Sequence, residues 1–280
     1  MKLAHLKHLA AAFAWFASLA LASPEPALKA GEQLRYSVSW AIVPGAGEIV
    51  VSAATQGDQL KVTTQTGTRR LAKMLLPFEA TSESLYEVKS CRLLSIHERS
   101  VTRSKYVEFV TTFDYGTRRA TFAQVGATTA KYIDMPPGAP ADLISALLET
   151  RLWDMKPGES RDSLVLFKDD FYELTIHALR YEEVKTKLGR FQALVLEPRM
   201  EKTPPKGMFK RGSSVRVWIA QDKWKLPVKF EVEFNIGTGT ATLESYTPPP
   251  DVSAVVPAST ASVPTVATPD PTPDAKDPRP

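Results

Sequence analysis

Leu34-Arg35-Tyr36-Ser37-Val38-Ser39-Trp40 decides the fold class. Leu34, Tyr36, Val38 and Trp40 are apolar, and the residues between them are polar. A period of two puts alternate side chains on opposite faces of an extended chain, one buried and one wet. The pattern recurs at Val215–Ala220, where Val215, Val217 and Ile219 alternate with Arg216, Trp218 and Ala220. It recurs again at Phe230–Asn235 and, more loosely, at Tyr106–Thr111. These runs are rich in β-branched and aromatic residues, as half-buried antiparallel strands require.

Turn residues punctuate the strands. They are Pro44-Gly45-Ala46-Gly47, Gln56-Gly57-Asp58, Tyr115-Gly116-Thr117, Leu188-Gly189 and Ile236-Gly237-Thr238-Gly239. A spacing of roughly ten residues between turn signals predicts a meander. One segment departs from it. After the loop Asp134-Met135-Pro136-Pro137-Gly138-Ala139-Pro140, apolar residues at Leu143, Ile144, Ala146, Leu147, Leu148 and Leu152 line one face of a helix. Asp142 stands at its N-terminus, and Pro157-Gly158 stops it. The expected fold is therefore mainly all-β. An antiparallel meander over residues 30–247 forms a strongly curved sheet or barrel, with one short helix near 141–152. No parallel βαβ unit is visible.

The flanks read differently. Lys2 and Lys7 precede an uncharged apolar run from Leu9 to Leu21, and Ala20-Leu21-Ala22 is followed by Ser23-Pro24. This is the pattern of a secretory signal peptide over residues 1–22, cleaved near Ala22-Ser23. No other stretch approaches the roughly 20 apolar residues of a transmembrane span. Apart from Lys276 and Arg279, residues 248–280 are Pro, Ala, Ser, Thr, Val and Asp without an aromatic residue, which predicts a disordered tail. About 225 residues remain between the flanks, enough for one large β domain. A periplasmic or secreted location follows from the leader.

The formal net charge is +4, with acidic and basic residues interspersed along the strands, so no basic stripe for nucleic acid is present. Cys91 is the single cysteine, so an intramolecular disulfide is excluded and the core must be hydrophobic. Cys91 itself reads as a small apolar strand residue.

Catalytic constellations are sparse. His97 and His177 alone do not make a zinc site, and no Gly-x-Ser-x-Gly elbow or Gly-rich phosphate loop occurs. Asp169-Asp170, Glu182-Glu183 and Glu231/Glu233 are carboxylate pairs by type. Adjacent residues on a strand point to opposite faces, and Glu231 and Glu233 alternate with core positions, so they face solvent. Neither metal nor cofactor is expected. The candidate binding residues are Trp40 and Trp218, large aromatics able to line a concave face; Asp142 and Arg151 on the helix; and Asp222.

Gly31-Glu32-x-Leu34-x-Tyr36-x-Val38-x-Trp40 with Gly45-Ala46-Gly47 resembles the start of the bacterial family called domain of unknown function 3108. Asp142-Leu143-Ile144-Ser145-Ala146-Leu147 with Arg151 and Pro157-Gly158 resembles its middle. Gly189-Arg190-Phe191-Gln192-Ala193, Trp218-Ile219-Ala220-Gln221-Asp222 and Leu226-Pro227-Val228 resemble its end. The resemblance implies an exported, β-rich envelope protein and supplies no catalytic residue. The expected function is non-catalytic binding or scaffolding in the cell envelope. The partner is an apolar ligand, a glycan or another protein. The alternative is an envelope hydrolase using paired carboxylates on the concave face.

Overall fold

A computed structural model describes residues 25–209, 213–234 and 237–250. The expected leader over 1–22 and residues 251–280 of the expected tail lie outside the described residues.

The first half of the chain is a meander: β1 (Gln33–Trp40), β2 (Val43–Gln56), β3 (Gln59–Thr68), α1 (Arg70–Leu75), β4 (Phe78–Glu87), β5 (Leu93–Thr102), β6 (Lys105–Asp114), β7 (Arg119–Gln124) and β8 (Ala130–Asp134). The second half runs through β9 (Pro140–Asp142), α2 (Leu143–Glu149), β10 (Ser160–Phe167), β11 (Asp170–Thr186), β12 (Gly189–Arg199), β13 (Ser214–Ala220), β14 (Pro227–Phe234) and β15 (Gly237–Thr247). All fifteen strands belong to one sheet, in the order β8-β7-β6-β5-β4-β3-β2-β1-β15-β14-β13-β12-β11-β10-β9. The sheet is strongly curved and not closed.

Bonds between distant strands measure the curl. On edge strand β8, Lys131 Nζ reaches the Asp169 carboxylate in the β10–β11 turn at 2.8 Å. The two ends of the sheet overlap there. Leu164, Leu166 and Phe171 share a core with Ile96, Ala120 and Met135 of the first half. Val165, Tyr172 and Leu174 point the other way and pack with Ala141, Ala146 and Leu143. Strands buried on both faces read as continuous apolar runs, and Leu164-Val165-Leu166 is one. A third cluster joins Leu147 of α2 to Ile176, Ala178, Leu194, Leu196, Val217 and Ile219. Helix α2 thus lies against the concave face of β11–β13.

The expected helix is present as α2, continued by a 3-10 turn over Thr150–Leu152. The structure corrects four finer expectations. A second helix, α1, lies between Thr68 and Pro77, where helix formers fill a short gap between two strands. Strand β9 pairs in parallel with β10, so β9–α2–β10 is a parallel crossover; three residues in a proline-rich loop carry no strand signal. Pro44–Gly47 lies inside β2, and the turn falls at Ala41–Ile42, with Ala41 at φ 50°. Cys91 is a turn residue between β4 and β5, at φ 52°, and not a strand residue.

Candidate functional site

Register assembles the site. Tyr36, Val38 and Trp40 fall on one face of β1 and stand opposite Leu243, Ala241 and Gly239 of β15. Ala241 and Gly239 stand opposite Phe230 and Val232 of β14, which face Val217 and Val215 of β13. On the other side, Tyr36 stands opposite Ile49 of β2. Leu143, Ile144, Leu147 and Leu148 of α2 close over this wall, leaving a cavity of about 270 Å³.

None of the residues lining that cavity is ionisable apart from Tyr36. The Tyr36 hydroxyl is already used: it donates to the Pro227 carbonyl at 2.9 Å, and burial drives its pKa far above the usual phenol range. Its ring meets Phe230 edge-on at 5.1 Å. Trp40, 38 % exposed, stands at the mouth. A Cβ on Gly239 would come within 3.2 Å of the indole, so the absence of a side chain there leaves the ring its place.

The five expected residues separate. Trp40 lines the cavity. Trp218 lies on the opposite face, in register with Val195 and Lys229. It is buried; its indole N–H donates to Glu182 at 2.7 Å, and Lys229 Nζ stands 4.0 Å from the ring centroid. Asp142 caps α2, accepting from the Ser145 amide at 2.9 Å and from the Tyr86 hydroxyl at 3.0 Å. Arg151 pairs with Glu32 at 2.5 Å and donates to the Trp224 carbonyl at 3.1 Å. Asp222 accepts from the Trp224 and Lys225 amides at 3.0 and 3.1 Å, shaping the β13–β14 turn.

The acidic pairs are engaged elsewhere. Asp169 binds Lys131, Asp170 binds Lys206 at 2.6 Å, and Glu231 binds Lys229 at 2.7 Å. A polar groove of about 430 Å³ runs over β2–β4, where Glu48 is held by Arg35 and Arg69. The most perturbed carboxyl is Glu149, at the C-terminal end of α2. Burial, and then the charge of Asp142, pushes it up to about 7. It adjoins a crevice of about 30 Å³ beside Tyr86, Cys91 and Ser145, room for about one water and for no substrate. Among the described residues no group of His, Cys, Asp and Glu is placed to hold a metal. His97 and His177 instead contact Glu108 and Glu201 at 2.6 and 2.9 Å.

A family model described as a protein of unknown function, DUF3108, matches residues 35–244. The chain belongs to the DUF3108 family. A search of curated proteins finds no match. Among solved structures, this DUF3108 chain is similar to a β-barrel-like protein of the domain of unknown function DUF1849 from Brucella abortus. The TM-score is 0.51 at 6 % identity, over 78 % of this chain and 97 % of that one. It also matches a protein from Bacteroides fragilis described as exported, with a YmcC-like fold (TM-score 0.32, 11 % identity, 80 % and 99 % covered). At 6 % identity the first likeness speaks for the fold alone.

Sequence reasoning did not single out Val38, Gly239, Leu143 or Leu147 as parts of a DUF3108 cavity. The signal for Val38 was present, since it lies two residues from Trp40 on the same face. For α2, the apolar face was legible, but not that part of it stands off the sheet.

Proposed function

We propose that this protein binds an apolar ligand in the cavity between α2 and strands β1, β2 and β13–β15, and that it does so in the cell envelope after export. The observation that carries the reading is the lining: aliphatic and aromatic side chains, with the one hydroxyl already bonded to the protein. A glycan needs hydrogen-bond partners that such a wall does not offer, and leaving its hydroxyls unpaired costs about 1–3 kcal/mol each. An alkyl chain gains about 0.8 kcal/mol for each methylene buried. The volume lies near the lower bound of small-molecule sites, which run to about 300–1,000 Å³. Hydrolysis finds no carboxylate pair in this cavity. Export is supported by the charged start, the apolar run and the small-residue cleavage pattern of residues 1–22. No helix among the described residues is long and apolar enough to cross a membrane.

The test is titration of the purified protein with N-phenyl-1-naphthylamine, a neutral apolar dye. Saturable uptake at one dye per chain is expected, and it should be lost in Val38→Phe and Ala241→Phe, which fill the cavity. Uptake unchanged in both folded variants would overturn the reading. Native mass spectrometry of protein from its own envelope extract then identifies the natural occupant.

A further inference from the structure

Helix α1 is a short helix lying beside the start of β2, with its leucine and methionine side chains turned to solvent. None of its residues is buried: Leu71, Met74 and Leu75 are exposed, as is Leu76 just after it, with Met74 at 77 %. Helices in proteins owe most of their stability to a packed apolar face, and a six-residue helix has little of its own. Ile42, in the β1–β2 turn at the same end of the sheet, is 95 % exposed. The two are stitched together: the Arg69 amide donates to the Ala46 carbonyl at 2.8 Å, and the Arg70 guanidinium lies over Gly45. The β5–β6 turn joins them through Arg103, which donates to the Leu75 carbonyl at 2.7 Å.

The charge around this apolar tip is mainly basic. Residues 69–77 carry Arg69, Arg70 and Lys73 and no acid, the β5–β6 turn adds Arg103, and Lys105 opens β6. Glu48 engages Arg69, and Glu79 engages Lys73. Arg70, Arg103 and Lys105 have no acidic partner among the described residues. Apolar side chains ringed by cations match the boundary between acyl chains and anionic headgroups. A second copy of the chain matches it poorly, because two such tips would meet basic residue to basic residue. Trp40, at the cavity mouth, opens the same turn that carries Ile42.

We infer that α1 and the β1–β2 turn dock on an anionic phospholipid surface, Leu71, Met74, Leu75 and Ile42 entering the interface while the basic ring meets phosphate. The docking stands on exposure and charge alone. Its corollary, that the membrane delivers or receives the ligand at the Trp40 mouth, rests on the apolar-ligand reading above.

The experiment uses the single-cysteine character of the chain. In a Cys91→Ser background, an environment-sensitive dye is attached at Met74→Cys or, at the opposite end of the sheet, at Leu188→Cys. Vesicles contain either phosphatidylcholine alone or equal parts phosphatidylcholine and phosphatidylglycerol. A blue shift is expected at position 74, on the anionic vesicles only, with none at 188. Each of Arg70→Glu, Lys73→Glu and Arg103→Glu should weaken the response by roughly fivefold or more at low salt. No shift at 74, an equal shift at 188, an equal response to neutral vesicles, or a shift that tracks protein concentration without vesicles overturns the inference. Dye uptake into the cavity is measured without vesicles, so failure of docking and failure of the ligand reading are separately visible.

Discussion

Arg151 and Glu32 form an ion pair at 2.5 Å with side chains only 10 % and 3 % exposed, joining the turn after α2 to the segment that leads into β1. Glu32 Oε1 also accepts from the Tyr246 hydroxyl at 3.0 Å, so β15 is tied into the same knot. Breaking a buried pair from one side leaves a charge without compensation, at about 3–5 kcal/mol. Arg151→Met should lower stability by that amount, and the further change Glu32→Leu should restore much of it. Urea unfolding of the two single variants and the double variant gives the coupling energy. Additive losses would contradict the pairing.

Glu149 makes stability depend on pH in an unusual sense for a carboxyl. Its native pKa is raised to about 7, above its ordinary value of 4.5, so the folded protein holds this proton more tightly than the unfolded chain does. Its contribution is favourable at low pH and declines as pH rises from about 4.5 through 7. Glu149→Gln should remove that decline and stabilise the protein at pH 8 by roughly 3 kcal/mol. Melting curves of both proteins between pH 5 and pH 8 test it; parallel curves across the range would refute the assignment.

Asp142 is expected to act as a cap. Asp142→Ala should cost about 1–2 kcal/mol through the lost bond to the Ser145 amide, and more through the Tyr86 hydroxyl left unpaired. Asp142→Asn keeps an acceptor for the amide and should cost less. Equal losses in thermal unfolding would argue against capping.

Gly239 is expected to govern access to the cavity. Gly239→Val places a branched side chain where the Trp40 ring lies and should displace the indole from the mouth. Apolar-dye affinity should fall severalfold while the circular dichroism spectrum is retained. Trp40→Ala should change the dye's on-rate in stopped-flow mixing more than it changes the folded fraction. Unaltered uptake in both variants would remove Trp40 from the site.

The strands were legible where one face is buried and the other wet: Leu34 and Tyr36 are buried, as their alternation requires. The helix after Asp142 was legible from its apolar spacing and its cap. Other features were hidden for physical reasons. Strand β9 is too short to show a period. The apolar residues of α1 are exposed, so they set up no buried helical face for the sequence to show. Trp218 and Trp40 look alike in sequence, and only register separates the buried indole bonded to Glu182 from the one at the cavity mouth. Arg151 lies in the 3-10 turn after α2, and its partner Glu32 lies 119 residues away and carries no local mark.

β1 and β15, the first and last of the described strands, pair with each other in the middle of the sheet, Gln33 opposite Thr247. Pro250 lies so near Gly31 that a Cβ there would stand 2.6 Å from its ring. Among the described residues this central seam joins the strands farthest apart in sequence, so it cannot form until β15 is present. Each flanking meander zips from hairpin to neighbouring hairpin, whereas the seam waits on closure of the longest loop. Joining residues 31 and 250 and reopening the chain in the 135–139 loop would turn that seam into an ordinary hairpin. Such a permuted chain should refold faster to the same sheet, and equal refolding rates for the two chains would show that closing the seam is not the slow step.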